Sequence, residues 1–327
     1  MLNDIKKIGV LTSGGDAPGM NAAVRAVVRT AEYYNIQVEG IYHGYKGMVE
    51  NNIKPLSTSD VGNIIQRGGT ILKTARSEKF RSSEGREKAH RNLKELNIDA
   101  CIVIGGDGSY TGAKVFTEEY QDIPFIGLPG TIDNDIFGTD FTIGFDTAVN
   151  TAMEAIDKIR DTGSSHDRLF FIEVMGRHAG HIALYTGLGS GASTIFMPET
   201  ITSIDVLVDK LIKSSERNKM FNMVVVAEGN ENGNAMEISD QVKKKYGFES
   251  RVTILGHLQR GGSPSAIDRV LATRLGYSAV KCIMEGDRNT ALGIVNDSLE
   301  KTNFSDAINK KKDMNNDLLD MANILSL

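Results

Sequence analysis

Residues 100–114 read ACIVIGGDGSYTGAK, and this stretch decides the fold. Its first half carries no polar side chain, as expected of a strand buried on both faces of its sheet. Gly105 and Gly106 end the strand, and Asp107 and Gly108 lead into a segment of helical character. A strand apolar on both faces needs helices over both, so the flanking sequence should alternate strand and helix. It does. KIGVLT (7–12), VEGIY (38–42), IPFIGLPG (123–130), LFFIEVMG (169–176), MVVVAEG (223–229) and VTILGH (252–257) are short apolar runs bounded by loops. Helical patterns lie among them, from Asn21 to Tyr34 and from 146 to 160. In the latter, Val149, Met153, Ile156 and Ile159 form one apolar stripe opposite Asp157 and Lys158. Repeated strand–helix–strand units predict an α/β protein, and 327 residues suffice for about two domains. Ligands of such sheets bind beyond the carboxyl ends of the strands, so the loops there should hold the chemistry.

Hydrophobic residues make up 40% of the chain and charged residues 24%, which excludes a disordered or fibrous protein. A net charge of −5 speaks against a dedicated nucleic-acid binder. Cys101 and Cys282 lie in apolar surroundings and read as small buried hydrophobes in a reducing compartment. No apolar run approaches the ~20 residues of a membrane span. MLNDIKKIGVLT (1–12) holds no long apolar region or cleavage site. The expectation is a cytoplasmic protein that engages no membrane. The Lys310, Lys311 and Lys312 run reads as solvated surface before a closing helix.

Three loops carry candidate chemistry. In LTSGGDAPGMN (11–21), Gly14 and Gly15 allow close approach to a ligand, and the next helix offers free N–H groups to an anion. In IGGDGSYTGAK (104–114), Gly105, Gly106, Gly108 and Gly112 clear side chains from a surface where phosphates could lie. Asp107 is out of place in a bare phosphate cradle but is explained by a magnesium ion between its carboxylate and the phosphates. The spacing is GxGxxxG, not the GxGxxG of dinucleotide binders, and the next strand ends LPG (128–130) without a ribose-binding acid. In PGTIDNDIFGTD (129–140), an extended backbone would point Thr131, Asp133 and Asp135 to one side. A carboxylate pair lets one group act as base while the other orients it or meets a metal. Cationic residues complete the set: Arg76 and Arg81, then Arg177 in MGRHAGH (175–181), then Arg251, His257 and Arg260 around VTILG and HLQRGGSP. Planar guanidinium groups hold phosphate oxygens bidentately, so their shared position at strand ends points to an anionic ligand.

LTSGGDAPGMNAA (11–23), RGGT…TAR (67–76), IGGDGS (104–109), PGTIDND (129–135), VMGRHAGH (174–181) and LGHLQRGGSP (255–264), in this order, resemble the bacterial ATP-dependent 6-phosphofructokinases. The resemblance runs from near Ile5 to the C-terminus, whereas IGGDG alone would also fit NAD kinases and lipid kinases. It implies two doubly wound domains, each a mostly parallel sheet flanked by helices. Residues 1–143 plus 257–308 would bind ATP, and residues 144–256 plus 309–327 would bind fructose 6-phosphate. The implied reaction is phosphorylation of fructose 6-phosphate to fructose 1,6-bisphosphate, with Mg2+ as cofactor.

Carried over by position, Gly15, Tyr45, Arg76, Ser77, Arg81, Gly106, Asp107, Gly108 and Ser109 would line the ATP site, with Asp107 on the metal. Asp133 resembles the base that takes the proton of the sugar 1-hydroxyl, supported by Thr131 and Asp135, while Arg177 steadies the transferring phosphoryl group. Thr131, Ile132, Asp133, Met175, Gly176, Arg177, Glu228, His257, Leu258, Gln259 and Arg260 would contact the sugar phosphate. Arg168 and Arg251 match arginines lent by a neighbouring subunit, which implies a homotetramer. Arg25, Arg29, Arg160, Arg217 and Lys219 match an effector site for ADP or phosphoenolpyruvate. The chain departs from that pattern where Ser193 replaces a glutamate, Met220 and Phe221 replace a Lys-His pair, and Asn63 replaces an aspartate.

Rival readings are pyrophosphate-dependent phosphofructokinase, dinucleotide-dependent oxidoreductase and a non-catalytic sugar-phosphate sensor. Pyrophosphate-dependent relatives generally carry Asp where Gly108 stands and Lys where Gly130 stands, so ATP is favoured. The oxidoreductase leaves PGTIDND without a job, and the sensor has no need of Asp107, Asp133 and Arg177 together.

Overall fold

The computed structural model describes residues 5–164, 169–200, 202–217 and 222–325. In chain order the elements are β1 (Lys7–Thr12), α1 (Met20–Tyr33), β2 (Gln37–Ile41), α2 (Tyr45–Glu50), β3 (Ile53–Leu56), α3 (Glu78–Arg81), α4 (Ser83–Glu95), β4 (Ala100–Gly105), α5 (Asp107–Glu119), β5 (Phe125–Pro129) and α6 (Phe145–Ser164). They continue with β6 (Leu169–Val174), α7 (His181–Gly189), β7 (Thr194–Phe196), α8 (Ile204–Glu216), β8 (Asn222–Ala227), α9 (Ala235–Tyr246), β9 (Ser250–Ile254), a 3-10 turn (Gly256–Arg260), α10 (Ala266–Glu285), β10 (Thr290–Val295), β11 (Ser298–Asn303), α11 (Phe304–Asn309) and α12 (Asn316–Leu325). The chain divides into two compact units, the first of residues 1–132, 136–146 and 260–312, the second of residues 133–135, 147–259 and 313–327.

The first unit is built on a seven-stranded sheet in the order β11-β10-β5-β4-β1-β2-β3. Only its outermost strands are antiparallel to their neighbours. β3 carries Pro55, which cannot donate to a ladder and is tolerated at an edge. The interior strands are mostly buried and β4 and β5 wholly so, with Val10, Leu11, Ile102, Val103, Ile104, Ile126 and Leu128 at 0% exposure, as the apolar runs require. After β1 the chain builds β2 and β3 on one side and then crosses to build β4 and β5 on the other. Strand order therefore reverses between β1 and β4, and the loops at their carboxyl ends flank the crevice where such sheets bind ligands.

The second unit holds a four-stranded, wholly parallel sheet in the order β7-β8-β6-β9. Phe171, Phe196, Leu207, Val224, Val226 and Ile238 form its core. β9 departs from the expected buried run: it is an edge strand, and Ile254 is 55% exposed. Parallel pairing on one side only leaves its other edge and much of its side-chain surface uncovered. The stripe predicted on α6 is correct in direction, with Val149 and Ile156 buried and Asp157 and Lys158 exposed. Among the described residues, no helix is long and apolar enough to cross a membrane.

Helices α1 and α10 pack closely because Gly276 lacks a side chain. A methyl group there would lie 2.7 Å from the carbonyl oxygen of Ala23 and 2.7 Å from Cβ of Ala26. Helix backbones cannot yield locally as a flexible side chain can. Gly276→Val should therefore destabilise the first unit by about 1–3 kcal/mol, the usual cost of overpacking. A lowered urea midpoint relative to the unchanged protein checks this.

Candidate active site

In the first unit the loops after β1, β4 and β5 are held together by main-chain bonds. Ser13 N–H donates to Ile104 O at 3.0 Å, and Gly130 N–H to Gly105 O at 3.0 Å. These continue the strand ladders past the last strand residues, so the loops are fixed by the sheet itself. Gly106 faces Thr131: a methyl group on Gly106 would rest 3.6 Å from Cβ of Thr131. Thr131 is buried, and its carbonyl accepts from Thr142 Oγ1 at 2.6 Å. The structure thus brings Gly106 and Thr131 together.

The glycines of the second loop divide into two kinds. A methyl group at Gly105 would lie 2.3 Å from Ser109 Oγ and 2.6 Å from Ser13 O. One at Gly112 would lie 2.7 Å from the Tyr45 ring. These glycines serve internal packing, which corrects the expectation that all of them clear a phosphate surface. Gly108 differs, because a methyl group there would meet nothing within 4 Å among the described residues. Gly130 is glycine for packing as well, since a methyl group would lie 2.9 Å from Ile104 and 3.0 Å from Met20.

Asp107 is the first residue of α5 and is exposed. With Gly106 and Gly108 beside it, a single carboxylate stands on an otherwise bare helix start, an arrangement that fits a divalent cation shared with phosphate oxygens. Among the described residues no group of three or more His, Cys, Asp or Glu side chains could hold a metal unaided. Ser109 is buried, and its hydroxyl has no hydrogen-bond partner among the described residues.

Several residues matched to the ATP site also have work inside the fold. The Tyr45 hydroxyl donates to Ser109 O, and its ring stacks on Phe80 at 4.3 Å. Burial pushes its ionisation well above the usual phenol range, so it stays a donor. Ser77 caps α3 by accepting from Phe80 N at 3.2 Å. Arg81 pairs with Glu78 at 3.6 Å on the open surface. Arg76 is exposed. Arg260 lies over the first loop, where a methyl group on Gly15 would meet its Nη1 at 2.6 Å, and Nη1 donates to Asp16 O at 3.3 Å.

The chain enters the second unit after Ile132 and leaves it after Asp135. Asp133 is 3% exposed, Ile132 is buried, and Asp135 is half-buried. Asn134 has φ 55°, so the segment is a turn and not the extended stretch that would aim both carboxylates to one side. The carboxylates differ in environment, one enclosed and one near solvent.

Three further loops meet at the carboxyl ends of β6, β8 and β9. Glu228 N–H donates to Val174 O at 2.8 Å, and Leu255 N–H to Glu173 O at 3.0 Å. Gln259 is fully buried, and its Oε1 accepts from Met175 N–H at 2.9 Å, so its side chain locks one loop to another. Arg177, Glu228, His257 and Leu258 are exposed. Arg177 has φ 52°, a left-handed backbone rare for a residue with a side chain, and Gly176 has φ 149°. Arg251 lies elsewhere. It pairs with Phe170 near the amino ends of β9 and β6, apart from His257. The expectation of one shared strand-end cluster is corrected, because a strand has two ends and the sequence pattern does not distinguish them.

Of the effector-type residues, Arg25 and Arg29 are one turn apart on α1, and burial and the neighbouring charge of Arg29 lower the Arg25 pKa. Arg160 donates to Ser190 O, and Arg217 is exposed. Ser193 is buried, and its hydroxyl donates to Met223 O at 2.8 Å. Asn63 is exposed with φ 52°. Arg168, Lys219, Met220 and Phe221 lie outside the described residues.

The phosphofructokinase family model matches residues 7–283. The chain is 53% identical over 327 residues to an ATP-dependent 6-phosphofructokinase 2 of Bacteroides thetaiotaomicron, covering 100% of both. It is 51% identical over 323 residues to an ATP-dependent 6-phosphofructokinase 1 of Thermus thermophilus, covering 99% of this chain and 100% of that one. Among solved structures it is similar to the T-state phosphofructokinase of Pichia pastoris, with TM-score 0.87 and 38% identity over 94% of this chain and 36% of that one. A pyrophosphate-dependent phosphofructokinase from Marinobacter aquaeolei shares the fold, with TM-score 0.83 at 24% identity, covering 98% of this chain and 91% of that one. An open sheet with its loops gathered at the carboxyl strand ends is the frame of a doubly wound α/β enzyme. The chain belongs to the phosphofructokinase family.

Gly229 shows how tightly the second unit's loops are set. Its φ is 80°, and a methyl group would lie 2.1 Å from Arg177 O. Gly247 has φ 76° with nothing within 4 Å of such a methyl group. Gly247→Ala should therefore cost only the left-handed backbone penalty of about 1–2 kcal/mol. Gly229→Ala should cost clearly more, because the Arg177 loop must move as well. Comparing the two urea midpoints checks the difference.

Proposed function

We propose that the protein catalyses ATP-dependent phosphorylation of fructose 6-phosphate, the activity named for its full-length curated relatives. The observation that carries the choice of donor is Gly108. Its missing side chain answers no internal packing need, so the space is kept for a ligand larger than pyrophosphate. Gly130 carries less weight here, because packing against Ile104 and Met20 already demands glycine.

Gly15, Arg76, Gly106, Gly108 and Ser109 hold the nucleotide phosphates in this reading. Tyr45, Ser77 and Arg81 shape the surrounding wall. Mg2+, held by Asp107 together with phosphate oxygens, would neutralise charge on the departing diphosphate. Asp133 accepts the proton of the sugar 1-hydroxyl as that oxygen attacks the γ-phosphorus. The bond to ADP breaks, and the carboxylate is left protonated. Enclosure of Asp133 limits competition from water. Thr131 and Asp135 support the base, and Arg177 faces the charge of the transferring group. Met175, Gly176, Glu228, His257, Leu258 and Arg260 hold the sugar phosphate, with Gln259 fixing Met175 from behind. The protein acts in the cytoplasm.

Asp133→Asn removes the proton acceptor while keeping the shape. Turnover in a coupled assay of ADP release should fall about 10²- to 10⁴-fold, with little change in half-saturation by fructose 6-phosphate. The unchanged enzyme should be inactive with pyrophosphate or in excess chelator. Retention of more than half the turnover by the variant, or full activity with pyrophosphate, would overturn the reading.

Arg168 and Arg251 are proposed to serve the site of a neighbouring copy in a homotetramer. The place of Arg251 at the amino end of the exposed edge strand β9 supports this. Arg25, Arg29, Arg160, Arg217 and Lys219 are proposed to take ADP or phosphoenolpyruvate. With Ser193 bonded inward, no carboxylate from that position repels the more compact anion, so both should bind with little discrimination. Sedimentation at assay concentration should find the active species assembled. Arg251→Ala should raise the fructose 6-phosphate requirement and leave the ATP requirement unchanged. Saturation curves of the unchanged enzyme should move less than about tenfold with either effector.

A further inference from the structure

A long loop without helix or strand runs from Ser57 to Ser77. Segments of this length without regular structure need explicit anchors if they are to present a side chain reproducibly. Its last residues are Arg76 and Ser77. The anchors are polar and specific. Thr12 Oγ1 bonds Thr70 Oγ1 at 2.9 Å and Lys73 O at 3.1 Å, His43 N–H donates to Leu72 O at 2.8 Å, and Ser263 Oγ donates to Gln66 O at 2.6 Å.

The most demanding anchor is Asn21, the second residue of α1 and 1% exposed. Its Nδ2 donates to Arg67 O at 3.0 Å and Gly68 O at 3.1 Å, and its Oδ1 accepts from Ile71 N–H at 2.8 Å. One largely buried side chain must therefore offer donors toward two carbonyls and an acceptor toward an amide. Only a short primary amide does so. Aspartate would bring a negative charge against two carbonyl oxygens, and alanine would leave three backbone groups to find water. Asn21 also follows directly on the loop after β1 that contains Gly15. It therefore ties two loops of the first unit, one carrying Gly15 and the other Arg76.

We infer that Asn21 is a positioning residue for nucleotide binding, acting by fixing the loop that presents Arg76. The inference rests on the reading of the first unit as the ATP side. Its effect should fall mainly on the nucleotide, because its three side-chain hydrogen bonds all go to the loop that ends in Arg76.

The test uses Asn21→Asp and Asn21→Ala in the full chain. Both should raise the KM for ATP about tenfold or more, the scale of one or two lost buried hydrogen bonds. The KM for fructose 6-phosphate should stay within about twofold, below the loss of a single typical hydrogen bond. Trypsin should cut after Arg67, Lys73 or Arg76 faster than in the unchanged protein, at a temperature well below unfolding. Titration calorimetry with Mg2+-ATP gives the same comparison without turnover. An unchanged KM for ATP with unchanged cleavage would overturn the inference. So would an equal rise in both KM values together with a lowered unfolding midpoint. Failure of both variants to fold would assign Asn21 to the fold alone and overturn it too. If the unchanged enzyme does not turn over fructose 6-phosphate, the proposed function fails, while trypsin and calorimetry still judge Asn21.

Discussion

The parallel pairing of β1 with β4, prolonged by the bond from Ser13 N–H to Ile104 O, is the interaction on which the first unit's loops depend. A matching bond from Gly130 N–H to Gly105 O prolongs β4 and β5 in the same way. Main-chain bonds thereby position the three loops, and side chains reinforce them, Arg260 at Asp16 O, Tyr45 at Ser109 O and Thr142 at Thr131 O. Loop placement therefore inherits the rigidity of a sheet whose central strands are almost entirely buried.

The second unit reaches a comparable result by different means. Its sheet is smaller, and its carboxyl-end loops are joined by a buried amide, Gln259, and by a close approach of Arg177 O to Gly229. Arg177 is held in a left-handed backbone, a conformation that costs free energy and persists only when its surroundings over-determine it. Strain of this kind is concentrated where a side chain must point in one direction. The glycines of the first unit can be sorted in the same spirit, since Gly105, Gly112 and Gly130 answer to neighbours inside the protein. Gly108 differs from them, since a methyl group there would touch no described neighbour.

The central strands were legible because burial on both faces writes itself as uninterrupted Val, Ile and Leu. The outer strands were not. β3 contains a proline, β11 is SLEKTN with only Thr302 buried, and β7 is three residues long. β3 and β11 are largely exposed edge strands without an uninterrupted apolar run, and β7 is too short to show a period. The loops at strand ends were legible as motifs, but their internal geometry was not. Asn134 turns the backbone where an extended chain was expected, and Ser193 spends its hydroxyl on Met223 O. Asn21 carried no mark of its own, since an asparagine early in a helix resembles many others until Arg67, Gly68 and Ile71 are seen around it.

The placement of β10 beside β5 has a consequence for how the chain is made. β5 ends at Pro129 and its partner begins only at Thr290. At ribosomal speeds of about 5–20 residues per second, roughly 8–30 s separate their appearance. During that interval the fully buried run FIGLP has an open edge, the kind of surface that other strands can join. Closure comes from β10 together with β11, a hairpin whose outer strand is almost wholly polar. Slow codons between the two strands, or a missing chaperone, should therefore favour aggregation of nascent chains over any defect in the finished protein.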